Sequence, residues 1–109
     1  MTQEYCLVLC TCPDAATARR LAEALVRERR AACVNIAPGL ASVYEWEGKI
    51  ETAEEQLLLI KTEADAFDAL EAFLKANHPY ELPEIIAVPI QRGSVDYLQW
   101  ITACLHPSP

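Results

Sequence analysis

The segments of this chain that read as strands are apolar on both sides, and that restricts what the chain can fold into. In Tyr5–Cys12, Leu7 and Leu9 point one way while Cys6, Val8 and Cys10 point the other. A sheet shielded on one face only should alternate apolar and polar residues. Leu57–Ile60 and Ile85–Val88 also fail to alternate. Helices packed on one face leave the other uncovered, so a further layer is required, and a second copy of the chain is the economical one.

The helices can be located by their spacing. Asp14 opens a helix expected to run to about Arg30, with Ala18, Leu21, Ala22 and Leu25 on one face. Ala31 to Trp46 reads as a long second strand, kinked at Pro38-Gly39. Glu47-Gly48 is a hairpin turn, and a third strand runs from about Lys49 to Thr62. Thr62 and Asp65 resemble a capping box for a second helix. That helix carries Phe67, Leu70, Phe73 and Leu74 on one face, continues to Asn77 and is stopped by Pro79. A fourth strand, Glu84–Ile90, holds Pro89, which suits an edge. Ser94 caps a short third helix bearing Tyr97, Leu98, Ile101 and Leu105, ended by Pro107. The order is β-α-β-β-α-β plus a terminal helix: an α+β, ferredoxin-like βαββαβ two-layer sandwich with an extra C-terminal helix.

The second and third strands pose a length problem. Sixteen extended residues (Ala31–Trp46) span roughly 50 Å, whereas a compact domain of this size has a radius of gyration of about 13 Å. The Ser42–Ile50 arm therefore bends sharply or projects, carrying Tyr44 and Trp46, residue types common at interfaces.

A length of 109 residues gives one domain, 1–109. The net charge of −7 argues against nucleic acid and anionic membranes as partners, since both call for a basic patch. No apolar run approaches the roughly 20 residues of a membrane span. The opening Met-Thr-Gln-Glu-Tyr lacks the basic and apolar regions of a signal peptide. The five cysteines are odd in number and read as reduced thiols, so a cytoplasmic location is expected.

Chemistry concentrates in a few side chains. Cys10 and Cys12 face the same way if the first strand stays regular. Their sulfurs would suit copper, as Cu(I) or Cu(II), or zinc, over magnesium or calcium. Cys33, early in the second strand, and His78, just past a helix, are the other candidate ligands. Against this stands the behaviour of free cysteine as a small buried hydrophobe, the reading preferred for Cys6 and Cys104. Cys10 or Cys12 as nucleophile with His78 as base is a different possibility, but no orienting third residue or oxyanion hole is marked. Glu45, Glu47, Glu51, Glu54 and Glu55 read as a solvated hairpin. Glycines at 39, 48 and 93 cannot build a phosphate loop.

Taken together, Cys10-Thr11-Cys12-Pro13-Asp14, Ala31–Ile36, Ser42–Ile50, Ile60-Lys61-Thr62, His78–Ile86 and Asp96–Trp100 resemble the CutA family of divalent-cation tolerance proteins. The Trp46-to-Gly48 hairpin and His78-Pro79-Tyr80 followed by Pro83-Glu84 are the most specific of these. The resemblance implies a ferredoxin-like subunit in a tight cytoplasmic homotrimer and a role in tolerance to copper and other metals; the residues mark no reaction to catalyse, so an enzyme is not expected. In enteric bacterial members, copper ligands are assigned to a cysteine and a His-His pair. Matched here, these are Cys10 and His78, with Asn77 in place of the first histidine and Cys12 or Cys33 available as a further donor. An alternative is a trimeric signalling or scaffold module, similar in topology to the P-II nitrogen regulators, with a small ligand or protein in clefts between subunits.

Overall fold

The computed structural model describes residues 4–108. Four strands, β1 (Tyr5–Cys12), β2 (Cys33–Trp46), β3 (Lys49–Glu63) and β4 (Ile85–Ile90), form one sheet. Its order is β2-β3-β1-β4, and each neighbouring pair is antiparallel. Helices α1 (Ala15–Arg27), α2 (Phe67–Asn77) and α3 (Val95–Leu105) complete the expected order. β4 lies at an edge, where the missing N–H of Pro89 is tolerated.

The cross-strand register fixes which residues share a face. Cys6, Val8 and Cys10 stand opposite Thr62, Ile60 and Leu58, and these side chains are buried under α1 and α2. Ala18, Leu21, Ala22 and Leu25 of α1 and Leu70 and Leu74 of α2 close this layer. Leu7, Leu9, Leu57, Leu59, Ile86 and Val88 have the other parity and point away from it. On that side α3 covers one end of the sheet. Ile101 is buried there, and Thr102 Oγ1 bonds the Tyr5 hydroxyl at 2.6 Å and Glu63 Oε2 at 2.8 Å. His106 Nε2 lies 2.7 Å from Glu63 Oε1, fixing the end of the helix.

Several boundaries differ from expectation. α1 stops at Arg27 because Arg29, at φ 59, adopts the left-handed conformation that glycine usually supplies. The N–H groups of Arg29 and Arg30 then bond Val26 and Leu25 carbonyls, closing a Schellman motif. Asp14 caps this helix as expected, accepting from the Thr17 N–H at 2.7 Å. The capping box at Thr62 does not form: β3 runs on to Glu63, and Thr62 Oγ1 donates to the Arg30 carbonyl at 2.8 Å instead. A 3-10 turn, Ala64–Ala66, leads into α2. Ser94 occupies the N-cap position of α3 but makes no side-chain capping bond.

The long hairpin projects. Register shifts between Ala37 and Leu40, where Gly39 sits at φ 73. Beyond it the arm ends in a two-residue turn, with Glu47 at φ 51 and Gly48 at φ 79, the positive pair that such a tight hairpin requires. The molecule measures 49 × 26 × 23 Å and has a radius of gyration of 14.8 Å, longer than a compact domain. Val43, Tyr44, Trp46 and Ile50 are exposed along the arm.

Candidate metal centre

β1 stays paired through its last residue, Cys12 opposite Gln56, so Cys10 and Cys12 fall on one face with their sulfurs side by side. Neither has exposed surface. The third member comes from the end of α2. Pro79 denies His78 the helical conformation, and His78 takes φ −83, ψ 140. Its N–H still bonds the Leu74 carbonyl at 2.8 Å, and the chain folds the imidazole back over the end of β1. The candidate ligand atoms of Cys10, Cys12 and His78 all lie within 4.8 Å of one another.

The imidazole is tied at both nitrogens. Nδ1 accepts the Tyr80 N–H at 3.1 Å, so Nε2 carries the ring proton and donates it to the Thr11 carbonyl at 2.8 Å. The ring is 9% exposed and lies 4.8 Å, centroid to centroid, from the ring of Tyr80. With both nitrogens engaged, no lone pair faces a thiol, so the geometry does not favour a Cys–His nucleophile pair.

The two thiols are electrostatically unequal. A hydrogen bond with Cys12, reinforced by burial, pushes the Cys10 thiol well above the ordinary range. The same bond holds the Cys12 thiol below its ordinary value, against the opposing effect of burial. Arg20 favours the Cys12 anion and also reaches the Asn77 carbonyl at 3.4 Å. Asn77 itself donates its side-chain amide to the Phe73 carbonyl at 2.9 Å.

Cys33 does not join this group. Its partner across the ladder is Lys61, which places it with Leu7 and Leu59 on the opposite face of the sheet. There it lies beside Tyr97 of α3, whose phenol it influences. The expectation that Cys33 assists Cys10 and His78 is therefore corrected: the sheet backbone separates them.

A cleft of about 640 Å³ opens beside the cluster, between the arm and the loop after α2. Thr11, Tyr44, Trp46, Glu55, Tyr80 and Glu84 are among the lining residues. Glu55, expected to be a solvated hairpin carboxylate, is only 8% exposed, and its Oε2 accepts the Tyr80 hydroxyl at 2.6 Å. Burial first, and this bond second, raise the Tyr80 phenol above its ordinary range. In the sequence Glu55 is legible only as one of five hairpin carboxylates and Tyr80 only as part of a motif, with nothing to pair them. The one available cue was the change from the polar arm to Leu57–Ile60 immediately after Glu55.

Two thiols and an imidazole form a soft donor set, which fits copper or zinc better than magnesium or calcium. Similarity to known proteins extends over most of the chain. The family model described as CutA1 divalent ion tolerance protein matches residues 6–104. The divalent-cation tolerance protein CutA of Thermus thermophilus is 52% identical over 87% of this chain and 92% of its own length. The chloroplastic protein CutA 1 of Oryza sativa is 50% identical over 87% of this chain. The chain spans only 54% of that plant relative. The crystal structure of CutA1 from Oryza sativa superposes with a TM-score of 0.94 at 46% identity, covering 98% of each chain.

Proposed function

This chain belongs to the CutA1 divalent ion tolerance family, and from that premise we propose that it is a cytoplasmic, trimeric copper-binding protein acting in metal tolerance rather than as an enzyme. The observation that carries the reading is the convergence of Cys10, Cys12 and His78 within 4.8 Å. Soft sulfur donors favour copper or zinc over magnesium or calcium. Five free cysteines favour a reducing compartment, and among the described residues no helix is long and apolar enough to cross a membrane. Assembly follows from the uncovered face, where Ile86 and Val88 stay exposed beside half-buried Leu7, Leu9, Leu57 and Leu59.

Copper titrated into the reduced protein is expected to bind one ion per subunit, and Cys10→Ser is expected to abolish it. Undiminished binding in that variant would remove the assigned site. Sedimentation velocity tests the assembly: a stable single subunit at micromolar concentration would contradict it.

A second reading draws support from the cleft, whose aromatic and carboxylate lining suits a small ligand or a protein partner. In this signalling or scaffold module, metal is incidental. A metabolite that raises the melting temperature while copper does not would favour it.

A further inference from the structure

We propose that the cleft between the arm and the loop after α2 binds an aliphatic diamine or polyamine, with the Glu55 carboxylate receiving one ammonium group against the rings of Tyr44, Trp46 and Tyr80. This rests on the reading of the cleft as a small-ligand site and is independent of the thiol cluster.

The first argument is the state of Glu55. It sits on β3 opposite Leu40, just past the bulge, and is 8% exposed. Its Oε2 accepts the Tyr80 hydroxyl at 2.6 Å, the length of a hydroxyl donating to an ionised carboxylate. Oε1 has no hydrogen-bond partner among the described residues. Protein atoms do not seal it either, and Glu55 lines the cleft, so the free oxygen opens onto that space. Among the described residues no lysine, arginine or histidine pairs with this carboxylate. A charge held so far from water is costly until a cation with a hydrogen-bond donor meets it.

The second argument is the wall. Tyr44 and Trp46 alternate along β2 and share a face, while Tyr80 closes the cleft from the loop after α2. Tyr44 and Trp46 are 45% and 42% exposed, so their surfaces are open to a ligand. Aromatic faces attract cations, tryptophan most strongly. Glu45, Glu81 and Glu84 are exposed along the same cleft, and none of the lining residues is basic. An anionic ligand would meet only like charge there.

The arrangement also selects among cations. Among the described residues, Cys10, Cys12 and His78 are the one group of His, Cys, Asp and Glu side chains close enough to share a metal ion. No three carboxylates of the cleft converge in that way, so an extended cation reaches them better than a single ion. The volume of about 640 Å³ is that of a small-molecule site. Two ammonium groups joined by a short apolar chain match a deep carboxylate at one end, exposed carboxylates at the other and rings between. A quaternary ammonium would suit the rings but carries no N–H for Oε1.

The experiment is calorimetric titration of the assembled protein with putrescine, tetramethylammonium and Mg(II). It is run at about 0.15 M salt, which screens general attraction to a chain of net charge −7. Putrescine is expected to bind once per subunit, and tetramethylammonium at least ~10-fold more weakly for want of an N–H donor. Glu55→Gln should weaken putrescine binding at least ~30-fold, as loss of a buried charge partner does. Trp46→Ala should weaken it ~2- to 5-fold, the loss of one exposed cation–π contact. Trp46 is exposed, so that variant reports even where Glu55→Gln fails to fold. Undiminished binding in either variant, equal affinity for tetramethylammonium, or displacement of putrescine by equimolar Mg(II) would overturn the ammonium site. A neutral or anionic compound that raises the melting temperature while putrescine does not would overturn it and leave the small-ligand reading standing. If no small compound of any charge binds, both fall.

Discussion

On the face covered by α1 and α2, Val8, Cys10, Leu58 and Ile60 have no exposed surface, whereas Ile86 and Val88 on the opposite face remain 50% and 45% exposed. The first set comes from β1 and β3 and the second from the edge strand β4, yet β1 and β3 also put Leu7, Leu9, Leu57 and Leu59 on the open side. What separates the faces is what packs on them. α1 and α2 present Leu21, Leu25, Leu70 and Leu74 to one, while α3, eleven residues long, reaches only one end of the other. An apolar side chain is thus part of a core on one face and an unfilled contact on the other. The first contributes to the stability of the subunit, the second to its association.

Leu58→Ala should show the largest effect. Leu58 is fully buried, and its truncation is expected to destabilise the subunit by about 2–5 kcal/mol in urea unfolding. A change below ~1 kcal/mol would mean the covered face is not the core described. Asp14→Ala removes the cap of the helix that covers this face and is expected to destabilise it by about 1 kcal/mol, read as a lower melting temperature. Ile86→Lys, on the open face, should alter the stability of the isolated subunit by less than about 0.5 kcal/mol while disrupting association, measured by sedimentation. Loss of the subunit's own circular dichroism signal in this variant would erase the contrast. The smallest effect lies at the cleft. Because the Tyr80 phenol is raised, its contribution is complete below the ordinary value of 10.0 and is lost as pH rises above it. Tyr80→Phe should flatten the alkaline limb of the stability profile; an unchanged slope would contradict the Tyr80–Glu55 pairing.

Much of this contrast could be read from the sequence, because strand parity is strict. Once Cys6–Cys12 is taken as a strand, Cys10 and Cys12 must share a face and Leu9 must oppose it. The same rule, applied across the ladder, would have separated Cys33 from them, but it needs the register Cys33 opposite Lys61, which depends on the bulge at Pro38-Gly39. Arg29 hid the end of α1 because nothing in an arginine announces a left-handed turn. Glu55 and Tyr80 are 25 residues apart, and their bond depends on how the loop after Pro79 folds back. Glu63 and His106, 43 residues apart, were missed for the same reason. Local pattern fixes which way a side chain points, while distant pairings wait on tertiary structure.

Placing both sulfurs on β1, between β3 and β4 and beneath two helices, also bears on time. The thiols themselves have no exposed surface, although a cleft lined by Thr11 opens beside them. Openings of so deep a part of a domain are rare excursions. A thiol reagent is therefore expected to reach Cys10 and Cys12 only as fast as the fold breathes, well after it has reached the half-buried Cys33 and Cys104.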